Sequence, residues 1–78
     1  MDTVRTLHTH EAGFGWFFTS PDVEGLTGSA PTYDEAHTEA EKVVRWHLAG
    51  EAKERGEAAP EVEFVHFVPD TAAAALAA

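Results

Sequence analysis

Once along the chain, after Thr32, the apolar spacing switches from every second residue to every third or fourth. That single switch constrains the fold more than any other feature. Tyr33, Ala36, Ala40, Val43, Val44, His47 and Leu48 recur at helical spacing, while Asp34, Glu35, Glu39, Glu41, Lys42 and Arg45 take the wet side. Thr32 and Glu35 form a T-x-x-E capping box, in which hydroxyl and carboxylate each answer a backbone N–H left without a partner by the first turn. Gly50 interrupts without ending the helix, because an internal glycine is only about 1 kcal/mol worse than alanine. Gly56 followed by Pro60 is the better stop, and the predicted helix runs over 33–55. Glu41/Arg45 and Glu51/Arg55 add i,i+4 pairs along it.

Everything else reads as strand and turn. Residues 3–10 are β-branched with a poor period, Val4, Thr6, His8 and His10 on one parity and Leu7 on the other, and are expected to form an edge-type strand. Glu11, Ala12 and Gly13 make a hairpin turn into a second strand over 15–20, apolar on both faces, with Trp16 and Phe18 alternating with Phe17. Pro21 and Asp22 stop it. Gly25 and Gly28 mark positions expected to need positive φ or a bulge, around a short third strand at 26–30. Residues 61–68 are the clearest strand, with Val62, Phe64, His66 and Val68 on one face and Glu63, Val65 and Phe67 on the other. Beyond Pro69 an alanine-rich tail, too short for an isolated helix, docks or frays. The expected fold is α+β: a single β-β-β-α-β domain over 1–69, an antiparallel sheet packed on one helix, with a tail over 70–78 that is a short helix or disordered.

One helix covers one face of such a sheet. Phe17, Val65 and Phe67 fall on the other, and an uncovered apolar face marks an interface. A chain of 78 residues buries a marginal core, so oligomerisation is the expected support. There is no cysteine, which rules out disulfides, thiolate metal sites and cysteine nucleophiles. No segment reads as a signal peptide or membrane span, and the expected setting is soluble and cytoplasmic. Fourteen acidic residues against five basic give a formal charge of −9, which repels nucleic acid and favours encounter with a basic protein.

The stretch Pro21, Asp22, Val23, x, Gly25, followed after six residues by Thr32, Tyr33, Asp34, Glu35 and Ala36, resembles the N-terminal domain of HicB-type antitoxins. The preceding aromatic strand "GFGWFFTS" and the connection "GEAAPEVEFVHF" are similar to the same family, so the resemblance covers about 4–68. It implies a partial RNase H-like fold, an apolar dimer or higher oligomer interface, and a small basic HicA-like toxin that cleaves messenger RNA as partner. In most members it also implies a C-terminal DNA-binding domain. The ten residues after Val68 form no such module, so direct DNA binding is not expected of this chain. Glu24, where the family commonly has proline, and Gly28 and Pro31 depart from the usual pattern.

Weighed residue by residue, chemistry finds little footing. A two-metal nuclease needs converging carboxylates; Glu11, Asp22 and Glu35 are available, but Asp22 satisfies backbone donors in its turn and Glu35 caps the helix. His8 and His10, two apart on a strand, could offer metal ligands with His66 as a third if its strand lay adjacent. Nothing in the sequence supplies that adjacency, so the histidines are expected on the surface or at an interface, His47 at the core boundary and His37 in solvent. Ser20 and Ser29 lack a nucleophile elbow, and the glycines make no phosphate-cradling loop. Trp16, Phe17, Phe18, Trp46, Phe64 and Phe67 lack the basic groove of a base-stacking platform. The expectation is a non-enzymatic antitoxin module with no cofactor and no metal: Trp16, Phe17, Val65 and Phe67 at the self-association surface, and Pro21, Asp22, Gly25, Thr32 and Glu35 as the motif residues that hold the fold. An orphan oligomeric scaffold is the alternative, and a divalent-metal nuclease the third.

Overall fold

A computed structural model describes residues 2–77. Met1 and Ala78, the outer ends of the expected domain and tail, lie outside the described residues. The order is β1 (Asp2–Glu11), β2 (Gly15–Thr19), β3 (Thr27–Ala30), α1 (Tyr33–Glu54), β4 (Val62–Phe67) and α2 (Asp70–Ala77). Among the described residues, no helix is long and apolar enough to cross a membrane.

The sheet order is β3-β2-β1-β4. β1 therefore runs through the middle of the sheet, where an edge position was expected. β4 pairs with it in parallel, Thr6 opposite His66 and Leu7 opposite Phe67, so the sheet is mixed rather than antiparallel throughout. The reason lies in the connection: α1 carries the chain back along the sheet, and the strand that follows must run in the direction of β1. β2 pairs antiparallel with β1 and with β3.

Alternation then assigns the faces. Val4, Thr6 and His8 of β1, Trp16 and Phe18 of β2, Gly28 of β3 and Phe64 and His66 of β4 share the helix side. Trp16, Phe18, Ala36, Ala40 and Ala72 form one buried cluster, and Val4, Val23 and Val44 another, bridged by Leu26. Trp16 is 5% exposed inside the first cluster, which corrects its expected place at the self-association surface. Its parity is that of Phe18, opposite to Phe17, and parity decides the face. Ala72 brings α2 onto the same side, so the tail is an ordered helix that shares the cover with α1.

α1 begins on the Thr32 half of the capping box: Thr32 is extended (φ −123°, ψ 159°) and its Oγ1 accepts from Glu35 N at 3.2 Å, while the return bond expected from the Glu35 carboxylate is not formed among the described residues. It stops at a Schellman motif, with Gly56 N donating to Lys53 O at 3.1 Å and Glu57 N to Ala52 O at 2.8 Å; Gly56 takes φ +71°. Gly28 departs from expectation. Its φ is not positive; instead a Cβ there would collide with the tip of the Phe18 ring, so glycine is required by close approach rather than by backbone shape.

Candidate functional site

The side of the sheet away from the helices carries Leu7, Phe17, Val65 and Phe67. Leu7 and Phe67 are direct cross-strand partners, 40% and 48% exposed, and Val65 on the same strand face is 40% exposed. A hollow of about 420 Å³, lined by Arg5, Leu7, Thr19, Ser20, Pro21 and Phe67, opens beside them. Arg5 lies among these apolar groups but is engaged by Asp22. Arg5 N and Nε reach Asp22 Oδ2 at 2.8 and 3.0 Å, and Nη2 reaches Oδ1 at 2.7 Å. β2 has ended at Thr19, so Asp22 supplies the acceptor that a longer β2 would have offered to β1. The guanidinium and the backbone N–H of Arg5 hold the Asp22 carboxyl down at about 2, and the carboxylate in turn raises Arg5.

The other motif residues bracket the same corner. Pro21 lines the hollow, Gly25 turns the chain with φ +76°, and the turn returns Leu26 N to Val23 O at 3.2 Å, burying Val23 in the core. Thr32 and Glu35 start α1 at one end of a groove between the β3 edge and the first turns of the helix. Ser29, Pro31, Asp34, Glu35, Thr38 and Glu39 line this groove, whose volume is about 580 Å³. Three carboxylates thus face an unpaired strand edge. Farther along α1, Trp46 is 77% exposed.

A third feature is hidden under the helix. Thr6 and His8 are fully buried on β1, and the parallel β1–β4 pairing brings His66 beside them. His66 Nδ1 lies 2.7 Å from both Thr6 Oγ1 and His8 Nε2, and its Nε2 lies 2.7 Å from Glu41 Oε2. With the Glu41 carboxylate accepting from Nε2–H, the Nδ1 of a neutral His66 is an acceptor for either Thr6 or His8. His37 stacks on the His66 ring with centroids 3.5 Å apart, and its Nδ1 is 3.7 Å from Glu41 Oε2. Arg45 Nη2 approaches the other oxygen of Glu41 at 3.4 Å and its guanidinium covers the ring of Phe64. Burial pushes His8 down to about 4, helped by the neighbouring His66 and His37, and its Nδ1 is buried without a partner.

The structure therefore supplies the adjacency between His8 and His66 that spacing alone left open, and recruits two residues the sequence assigned to solvent. Glu41 turns inward to His66, and His37 is only partly exposed beside it. His10 lies elsewhere, against Trp16, and His47 is partly exposed, 2.6 Å from Glu51. One signal was legible: His37 and Glu41 are four apart, on the stripe next to Ala36 and Ala40 that faces the sheet. Glu11, Asp22 and Glu35 are dispersed among the strand end, the Arg5 pair and the helix cap. Among the described residues, His37, Glu41 and His66 are the group whose ligand atoms come within reach of one ion.

No family model, curated protein or solved structure matches the chain.

Proposed function

We propose that this chain is a protein-binding module of the HicB-type antitoxin kind, which pairs with a second copy through the bare sheet face and occludes a small basic toxin with its acidic side. The observation that carries the reading is the exposed apolar row of Leu7, Val65 and Phe67 on a sheet whose other face is already filled by two helices. Leaving such a row in water forgoes on the order of 1 kcal/mol or more per side chain that a partner surface would recover. The formal charge of −9 and the three-carboxylate groove beside β3 support a basic partner. The motif from Pro21 to Glu35 supports the antitoxin identity and a cytoplasmic setting. Occlusion needs no bond chemistry, and the partner's basic residues would meet Asp34 and Glu39.

Two measurements test the reading. Light scattering at micromolar concentration is expected to give a dimer or larger species, and Phe67→Asp to give a monomer with an unchanged far-UV spectrum. Co-expression with the product of the adjacent small reading frame is expected to retain a basic protein, released by the double charge reversal Asp34→Lys and Glu39→Lys. A monomeric wild type together with no co-purifying basic protein would end the proposal. Self-association without any basic partner would favour the scaffold reading, which the same bare face also supports.

A further inference from the structure

The cluster beneath α1 is not used by either of these binding surfaces. We propose that His37, Glu41 and His66 form a site for a zinc-class divalent ion, bridging the helix to the parallel strand pair. The donor set is two imidazoles and one carboxylate, a combination that suits zinc, cobalt or nickel and is poor in the oxygens that magnesium or calcium demand. One donor atom from each of the three lies within 4.8 Å of the others, and Glu41 Oε2 stands between His66 Nε2 at 2.7 Å and His37 Nδ1 at 3.7 Å. Around a tetrahedral zinc, ligand atoms lie roughly 3.4 Å apart, as bond lengths of about 2.0 to 2.1 Å require. Glu41 Oε2 and His66 Nε2 would open from 2.7 Å, and His37 Nδ1 would close from 3.7 Å. The ring of His37 must swing out of its stack on His66, and its side chain is 39% exposed, which leaves room for that turn.

What lies behind the ligands makes this more than three residues in proximity. A metal on His66 Nε2 moves the ring proton to Nδ1, and Thr6 Oγ1 stands 2.7 Å away as acceptor. His8 Nε2, at the same distance, is a second acceptor once its own proton is on Nδ1. Metal-ligating histidines almost always have such a partner on the remote nitrogen, and here it is a fully buried residue of the central strand. Arg45 Nη2 lies 3.4 Å from Glu41 Oε1, on the side away from His66, and Oε2 is the oxygen turned to the histidines for single-oxygen ligation. Three protein ligands leave one position for water or for a donor from a bound partner.

The test is a zinc titration of the full chain by calorimetry, with cobalt as a spectroscopic probe and magnesium as the comparison. One saturating site per chain is expected, with the visible bands of four-coordinate cobalt and no response to magnesium. Nitrogen-15 spectra are expected to show the His66 proton move from Nε2 to Nδ1 on zinc addition. His37→Gln, the safest variant because the residue is partly exposed, and Glu41→Gln are each expected to weaken zinc binding by more than about 100-fold. Thr6→Val, which removes only the supporting hydroxyl, is expected to weaken it by roughly 10- to 100-fold. His47→Gln, which removes the exposed His47–Glu51 pair, is expected to change nothing. Unchanged affinity in folded His37→Gln and Glu41→Gln, loss of binding with His47→Gln instead, or no saturable zinc binding by the wild type would overturn the assignment.

Discussion

Replacing Gly28 with alanine sets two effects of opposite sign against each other. Gly28 sits in β3 with ordinary extended backbone, so alanine would adopt its conformation freely and would reduce the entropy of the unfolded chain, a gain of about 0.4 to 1 kcal/mol. Against this, the added Cβ would lie 2.8 and 2.9 Å from Cε2 and Cε1 of Phe18, and nearer still to Cζ. Carbon atoms rest at about 3.5 to 4.0 Å, so the ring must withdraw by roughly 1 Å. It has nowhere to go: Phe18 is 1% exposed and packed among Trp16, Ala36, Ala40 and Ala72. Overpacking of this kind costs about 1 to 3 kcal/mol, and a contact this close with no slack behind it belongs in the upper half of that range, so crowding wins and Gly28→Ala is expected to destabilise by about 1 to 2.5 kcal/mol net. In a domain of this size each kcal/mol lowers the melting temperature by about 4 to 8 °C. The decisive measurement is a double-mutant cycle with Phe18→Leu, followed by urea unfolding at one fixed protein concentration, because self-association would otherwise shift the midpoint. Shortening Phe18 removes the crowded ring atoms, so the pair should be less damaged than the sum of the singles by about 1 kcal/mol or more. Gly28→Ala as stable as the wild type, or a strictly additive cycle, would refute the claim that this glycine is there to admit the ring.

Acid titration probes two further contacts. In metal-free protein His8 is held at about 4 against an ordinary 6.5, so between those values the unfolded chain binds the proton and the folded chain refuses it. Stability is full above about pH 6.5 and is lost as pH falls toward 4, with a slope of at most about 1.4 kcal/mol per pH unit from this one group. Tyr33 and His37 from α1 and His66 from β4 face it, with Glu41 behind His66, so the measurement is the difference between wild type and His8→Leu across that window; parallel pH profiles would remove His8 as the cause. Asp22→Asn is expected to lower the urea midpoint at neutral pH by detaching the corner from Arg5. Because the Asp22 carboxyl is held at about 2 against 3.8, that difference should be full above about pH 4 and vanish as pH falls through about 2; a difference that persists unchanged there would show that the Arg5 pair is not its source.

Particular elements show which kinds of information the sequence carried. α1 was legible to within a residue at each end because both of its signals are local: the Thr32 cap and the Gly56 stop need nothing from the rest of the chain. The outer-face position of Phe17, Val65 and Phe67 was legible from parity alone. Parity also placed Trp16 with Phe18, opposite Phe17, and that alternation rather than its expected place at the self-association surface is what the fold follows. β1 reads as an edge because its period is poor, with Leu7 off the parity of Val4, Thr6 and His8; in the fold Leu7 belongs to the bare face, and His66 of β4 gives Thr6 and His8 a partner inside.

By itself, then, the sequence determined periodicity and punctuation: where strands alternate, where the helix begins and ends, and that one sheet face is apolar without a helix to cover it. Only the tertiary structure decided that β4 lies beside β1 and runs with it, that Gly28 exists to make room for a ring, and that Glu41 turns from solvent to His66. The physical reason is range. Caps and alternation are fixed by backbone groups a few residues apart, whereas the histidine cluster joins residues 25 to 60 positions apart, and its hydrogen bonds exist only after the crossover has closed.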